Sequence, residues 1–168
     1  QKITYRDNVY YNLLKKNQLQ FPLKNIYNHD PIYGVSDGSS ATTEDFRDFL
    51  FINAARGTAF WELYYSPSIM DDEKWMVNAD ALDFAEKNAY ILENAKLFGN
   101  VPTSDVYGYS AWKGNEGIVA FRNPTGEEKT YTLQLTDVVG VPKTVSNLRG
   151  NQVLPYVAGG EKVVSYGD

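Results

Sequence analysis

One short run constrains this chain more than any other: Ala55-Arg56-Gly57-Thr58-Ala59-Phe60-Trp61-Glu62-Leu63-Tyr64-Tyr65-Ser66-Pro67. Gly57 closes a preceding helical pattern and Pro67 opens a loop, and the aromatic residues between them predict a strand. Apolar residues are nearly continuous over 59–65 rather than alternating. A strand covered on both faces reads this way, which points to parallel pairing inside an α/β layer or barrel. Glu62 interrupts the run, and a carboxylate in a buried strand is costly unless it is paired or used. Arg56 is the nearest candidate for a structural ion pair.

The flanking sequence supplies helices for such a layer. Residues 6–19 carry Val9, Tyr10, Leu13 and Leu14 at helical spacing. Residues 21–28 alternate as a strand that ends in Asn28-His29-Asp30-Pro31, and residues 31–41 read as a loop. Thr42-Thr43-Glu44-Asp45 is a helix start, followed by Phe46, Phe49, Leu50 and Asn53 or Ala54 on one face. A long helix is expected over 72–98, with Trp75, Ala79, Leu82, Ala85, Ala89 and Leu92 as its stripe, a break near Asn78 and Gly99 as its cap. Pro102 marks a boundary. Beyond it, Tyr107–Trp112 and Gly117–Arg122 flank the hairpin signal Lys113-Gly114-Asn115-Glu116, and further strands are expected at 130–135, 153–156 and 162–166. The chain thus divides into an α/β part, residues 1–101, and an antiparallel β part, residues 102–168. Two strands can neither close a barrel nor fill a sheet, so the first part reads as the tail of a larger α/β domain.

Composition removes several function classes. The 168 residues suit one domain or two small ones, and a net charge of −5 with Lys15-Lys16 as the single basic doublet argues against nucleic acid. No apolar run approaches the ~18–20 residues of a membrane span. Cysteine is absent, which excludes disulfides, thiolate nucleophiles and cysteine metal sites. His29 is the single histidine, so a multi-histidine metal site is excluded, and no cofactor is expected. These features fix no compartment; the cytoplasm and a secreted or periplasmic location both fit. Aromatics reach 14%, and their flat faces and polar tips suit sugar clefts as well as cores.

Three runs, residues 21–34, 56–66 and Tyr107–Trp112 continuing through Gly117–Pro124, resemble the C-terminal part of bacterial TIM-barrel glycoside hydrolases, specifically the endo-α-N-acetylgalactosaminidase and α-galactosidase-like group. The resemblance extends from about Tyr5 to Leu135. It implies α/β followed by all-β: the last βα units of a (β/α)8 barrel, with strands at 21–28 and 58–65 and a final helix at 72–98, then a C-terminal antiparallel β-sandwich. Active-site groups of such barrels lie at C-terminal strand ends, where His29, Asp30 and Trp61–Tyr65 fall. The implied function is hydrolysis of glycans with α-linked galactose or N-acetylgalactosamine. This chain would contribute substrate-positioning residues, with the nucleophile and general acid on earlier strands, so that alone it is expected to be inactive. An incomplete barrel would also leave an open edge for self-association. Two other classes stay open, a non-catalytic carbohydrate-binding domain and a structural interaction domain.

Asp30 and Glu62 are the carboxylate pair that the pattern sets on neighbouring strand ends, and the catalytic candidates if the chain holds any. Substrate binding by His29, Asp30, Trp61 and Glu62 is the alternative, since one carboxylate accepts hydrogen bonds from two sugar hydroxyls. Strand alternation groups Glu62 with Phe60 and Tyr64 and turns Trp61 the other way, with Asp30 expected as a cleft neighbour of Glu62. Against these stand plain roles: a turn residue for Asp30, a loop histidine for His29, and barrel filling for Trp61. Asp71-Asp72-Glu73 reads as a helix N-terminus rather than a calcium site, and Trp112 as core.

Overall fold

In the computed structural model, which describes residues 2–35, 41–155 and 158–168, the chain opens with helix α1 (Lys2–Tyr11). This helix begins before the expected 6–19 and passes into a π-helical turn, Asn12–Lys16. Its inner face carries Ile3, Asp7 and Tyr10, so a carboxylate occupies the centre of what would otherwise be an apolar stripe. Leu23–Asn25 forms a 3-10 turn where a strand was expected, leaving β1 (Tyr27–Asn28) and, after three residues, β2 (Ile32–Tyr33). The loop expected over 31–41 therefore begins with a strand, and its residues 36–40 lie outside the described residues.

Helix α2 (Thr43–Ala55) starts where the threonines and acids predict. The Thr42 hydroxyl accepts from the Asp45 amide at 3.1 Å, and the Asp45 carboxylate accepts from the Thr42 amide at 2.8 Å. It ends at Gly57, whose φ of +64° suits glycine; a Cβ there would also lie 2.0 Å from the Leu92 carbonyl oxygen. The aromatic run follows as β3 (Phe60–Trp61) and β4 (Tyr64–Tyr65). Asp71 caps α3 (Asp72–Lys87), accepting from the Lys74 amide at 2.9 Å. The expected helix 72–98 is in fact α3, the short α4 (Ala89–Leu92) and strand β5 (Lys96–Phe98), with the break at Asn88 rather than Asn78.

β1 pairs with β3 and β2 with β4, both in parallel. The second half contains the hairpin β6 (Tyr107–Lys113) and β7 (Glu116–Arg122), turning at Gly114–Asn115 as the sequence predicts. β5 joins β6 to make a three-stranded antiparallel sheet, and β8 (Leu148–Gly150) pairs with β9 (Lys162–Val164). One core cluster gathers Tyr10, Ile52, Ile91, Leu97, Tyr107 and Tyr109 between the helices and this sheet. A second joins Tyr33, Phe46, Phe49, Leu50, Val77 and Ala81, and a third sets Phe98 and Trp112 against Val139, Val141 and Val145.

This architecture corrects the expected (β/α)8 barrel and β-sandwich. Among the described residues the fold is a mixed α/β arrangement of four helices and sheets of two or three strands, with no closed barrel. The aromatic run is not covered on both faces, since Phe60 and Tyr64 are exposed. Among the described residues the other antiparallel sheet has only two strands, β8 and β9. Leu133 and Leu135 pack on the third cluster, but residues 130–135 join no ladder; Leu135 instead exchanges backbone hydrogen bonds with Gly167 and Asp168 at 2.8 and 2.7 Å. Of the strand expected at 153–156, Val153 forms only an isolated bridge and Tyr156 lies outside the described residues.

The helices and the β6–β7 hairpin meet at a buried polar centre. The fully buried Arg56 donates through Nε to Asp7 at 2.9 Å, and Asp7 also accepts from the hydroxyls of Tyr107 at 2.5 Å and Tyr109 at 2.6 Å. Arg122 in turn donates to the Tyr107 oxygen at 2.9 Å. Removing one member of a buried pair strands the other charge, so Asp7→Ala is expected to lower unfolding free energy by about 3–5 kcal/mol. Urea denaturation checks this, and a change below ~1 kcal/mol would mean that the pair is solvated.

The tyrosines here give a second expectation. Burial above all disfavours the phenolate of Tyr10, Tyr107 and Tyr109, with Asp7 adding to it; Tyr10 is pushed up to about 12 from 10.0, and Tyr109 is raised well above that ordinary value. The unfolded chain releases these protons at lower pH than the fold does. The stabilisation is therefore complete below pH ~10 and is lost as pH rises toward ~12 and beyond. Thermal melts across this range should show falling Tm, with a shallower fall in Tyr109→Phe.

Candidate functional site

The parallel ladder contains a mismatch that shapes its surroundings. Tyr27 and Asn28 pair with Phe60 and Trp61, while Ile32 and Tyr33 pair with Tyr64 and Tyr65. His29, Asp30 and Pro31 thus lie opposite only Glu62 and Leu63, a bulge of one extra residue. The backbone stays connected across it: the Glu62 amide donates to the Asp30 carbonyl, and the Tyr64 amide to the Pro31 carbonyl, both at 3.1 Å. The Asp30–Pro31 peptide is cis.

On the inner side the ladder is held by polar contacts. Asn28 is fully buried; its side-chain Oδ1 accepts from the Tyr10 hydroxyl at 2.7 Å, and its Nδ2 donates to Asn53 Oδ1. Asp30 is buried too, accepting from Arg6 Nε at 2.8 Å and lying 3.6 Å from Arg56 Nη1. Arg6 also donates to the His29 carbonyl at 3.3 Å. The carboxylate of Asp30 is therefore engaged by two guanidinium groups.

The outer side is open. Tyr27, Phe60 and Tyr64 are 53, 57 and 54% exposed, too open for core rings. Tyr27 stacks on Phe60 with centroids 5.7 Å apart and planes 18° from parallel. His29 lies 4.9 Å from the Tyr64 ring and hydrogen-bonds through Nδ1 to the Glu62 carboxylate. Both partners remain partly exposed, His29 more than Glu62.

Of the four residues expected to bind substrate, the structure brings together His29 and Glu62. It sets Asp30 on the inner side against Arg6 and Arg56, away from the exposed rings. Trp61 turns to the opposite side from Glu62, as alternation predicts, beside Thr58, Tyr90 and Glu93. Arg56 pairs with Asp7, not with Glu62. Sequence reading missed Tyr27 as a face-mate of His29, although the period-two pattern of residues 21–28 continued to His29 would have found it. It also missed Asp7, which the spacing Ile3, Asp7, Tyr10 puts on one helix face.

The outer face offers a carboxylate hydrogen acceptor, an imidazole with Nε2 unused by the Glu62 contact, and three aromatic surfaces. This suits binding a polyhydroxylated ligand. No protein-family model, curated protein or solved structure matches the chain.

The two faces should respond differently to mutation. Asp30→Asn removes a charge that two arginines face and is expected to cost about 1–3 kcal/mol of stability. His29→Ala and Glu62→Gln, on the open face, should stay within ~0.5 kcal/mol. Chemical denaturation of the three variants checks this; equal losses in all would show that the outer pair is as structural as the inner one.

Proposed function

We propose that this chain is a glycan-binding part of a carbohydrate-processing protein directed at α-linked galactose or N-acetylgalactosamine. Glu62 and His29 hold sugar hydroxyls on the open aromatic face. The observation that carries the reading is the Glu62–His29 hydrogen bond framed by exposed Tyr27, Phe60 and Tyr64. A pyranose has an apolar C–H face that fits an aromatic ring and a rim of hydroxyls that a carboxylate accepts. The resemblance of residues 21–34 and 56–66 to glycoside hydrolases supports the choice of sugar.

Hydrolysis needs two carboxylates flanking the bond, about 5–5.5 Å apart for retention or 6.5–9.5 Å for inversion. Glu62 stands on the outer face, and Asp30, the other candidate, is committed to Arg6 and Arg56. The role supported here is positioning rather than bond cleavage. A second reading draws on the same exposure: three half-exposed rings beside open strand edges also suit contact with another protein, including a second copy of the chain.

Glycan-array binding and isothermal titration with galactose and N-acetylgalactosamine test the proposal. Glu62→Gln and His29→Ala should each weaken binding by about 1–3 kcal/mol, the cost of leaving a polar group without its partner. Aryl α-galactosides should be turned over negligibly by the chain alone. Absence of binding with a dimer in light scattering would favour the protein-contact reading, and turnover lost in Glu62→Gln would make Glu62 catalytic.

A further inference from the structure

Helix α3 turns an apolar row away from the core. Its inner side is already complete: Val77 and Ala81 belong to the cluster of Phe46, Phe49 and Leu50, and Lys74 and Asn78 are buried with them. The stripe that periodicity assigns to the interior lies instead on the outer side. Trp75, Met76 and Leu82 are 46, 62 and 37% exposed, and Ala79 between them is exposed too. Single apolar residues at a surface are ordinary. Here Trp75, Ala79 and Leu82 follow one another at i, i+4 and i+7, with Met76 three residues before Ala79, so the four form one ridge along the helix. The indole of Trp75 rests one edge against Tyr65, at a centroid distance of 6.1 Å, which fixes the bulkiest member in place.

The charges around this ridge are of one sign. The helix carries two lysines, and both are engaged: Lys74 with Asp71 at 2.6 Å and Lys87 with Asp83 at 2.7 Å. Asp72, Asp80 and Glu86 are exposed, and among the described residues none has an ion-pair partner. Glu73 accepts only from the Thr43 hydroxyl, at 3.3 Å. Acids therefore precede the apolar row, flank it and follow it. From Asp72 to Glu86 they spread over ~21 Å of helix, at 1.5 Å per residue.

That sign selects among occupants. A second copy docked about a two-fold axis would set these acids against their own equivalents, in a chain whose net charge is already −5. Anionic lipid and nucleic acid are repelled for the same reason. A ridge of side chains on a helix offers no strand edge for main-chain pairing, but it fits between the ridges of another helix. We propose that the outer face of α3 is a docking surface for a basic amphipathic helix of a partner protein. The partner's apolar stripe packs on Trp75, Met76, Ala79 and Leu82, and its lysines or arginines reach Asp72, Glu73, Asp80 and Glu86. Trp75 is the anchor, since a half-exposed indole has the most apolar surface left to bury. The proposal rests on α3 alone and does not depend on the function proposed for the His29–Glu62 face.

The test titrates the full chain into a fluorescein-labelled, amidated peptide of leucine and lysine. The peptide is about 18 residues long, enough to form a helix, with its leucines at i, i+3, i+4 and i+7. A second peptide keeps the leucines and carries glutamate at every lysine position. Fluorescence anisotropy should show saturable, salt-weakened binding of the lysine peptide and none of the glutamate peptide. In 1H–15N spectra the shifts should centre on the amides of Asp72–Lys87 and on the Trp75 indole, identified among the three tryptophans by Trp75→Phe. Met76→Gln combined with Leu82→Gln should weaken binding about tenfold or more, as loss of central apolar contacts does. Asp80→Asn combined with Glu86→Gln should weaken it about threefold or more at low salt and flatten its salt dependence. All four side chains are exposed, so both variants should keep the parent Tm, which separates lost binding from lost folding. Glu127→Gln with Glu128→Gln, exposed acids far along the chain, should leave the affinity unchanged. Parent-like affinity in either α3 double variant, equal binding of the glutamate peptide, or shifts centred away from α3 would overturn the proposal. So would a dimer of the parent chain, or its adsorption to phosphatidylserine vesicles, that the Met76→Gln and Leu82→Gln pair abolishes.

Discussion

The fold depends on the ion pair between Asp7 and Arg56. Both side chains are fully removed from water, where an isolated charge would be intolerable. Attraction between them offsets desolvation only because the remaining hydrogen-bonding capacity is filled. Tyr107 and Tyr109 donate to the carboxylate, and the guanidinium also reaches Asn53 Oδ1 at 3.2 Å and the Ile3 carbonyl at 3.4 Å. These contacts can coexist in one arrangement only, with α1, the end of α2 and strand β6 converging on a point. Apolar packing around them is far less directional, so the charged centre sets the register in which the clusters close.

The same centre reaches the candidate site. Arg56 also faces Asp30, and Arg6, one residue before Asp7, binds both Asp30 and the His29 carbonyl. The segment that presents His29 is therefore anchored from behind by charges belonging to the core. The ladder itself has only four registered residue pairs and would be marginal alone. Inner contacts through Asn28, Asp30 and Tyr33 hold it in place and leave the outer rings exposed.

Local signals in the sequence read well where the physics is local. The Thr42–Asp45 cap, the Gly57 stop and the two-residue turn at Gly114–Asn115 all depend on neighbours in the chain. Alternation correctly separated Glu62 from Trp61. The stripe of α3 was misread because Trp75 and Leu82 look like core, yet the helix buries Lys74, Val77, Asn78 and Ala81. Asn78 is tolerated inside because Tyr65 donates to it at 2.9 Å, and Lys74 because Asp71 neutralises it at 2.6 Å. Partners of this kind are invisible to periodicity. Asp30 was misjudged for the same reason: its arginines come from α1 and from the end of α2, remote in sequence. The barrel and sandwich implied by the resemblance are absent because the strand-like runs pair over only two or three residues at 27–28, 32–33, 60–61, 64–65, 148–150 and 162–164, and local composition does not specify the length of a ladder.

The one-residue excess at 29–31 acts as a frame shift in the two-residue code of the strand. Along Phe60, Glu62 and Tyr64, even-numbered residues face outward without interruption. On the facing segment, odd-numbered Tyr27 and His29 look outward, but odd-numbered Tyr33 looks into the core against Phe46, at a centroid distance of 4.7 Å. Asp30 and Pro31, adjacent in sequence, are both buried, so the alternation of exposed and buried residues over Tyr27, Asn28 and His29 stops there. The parity change lets one continuous segment send His29 to the surface and Tyr33 to the interior. Closing the gap by one residue would restore regular pairing and force one half of the segment to exchange its faces, exposing Asn28 and Asp30 or withdrawing Tyr33 from the core. At this point of the chain, length is as much a part of the encoding as residue identity.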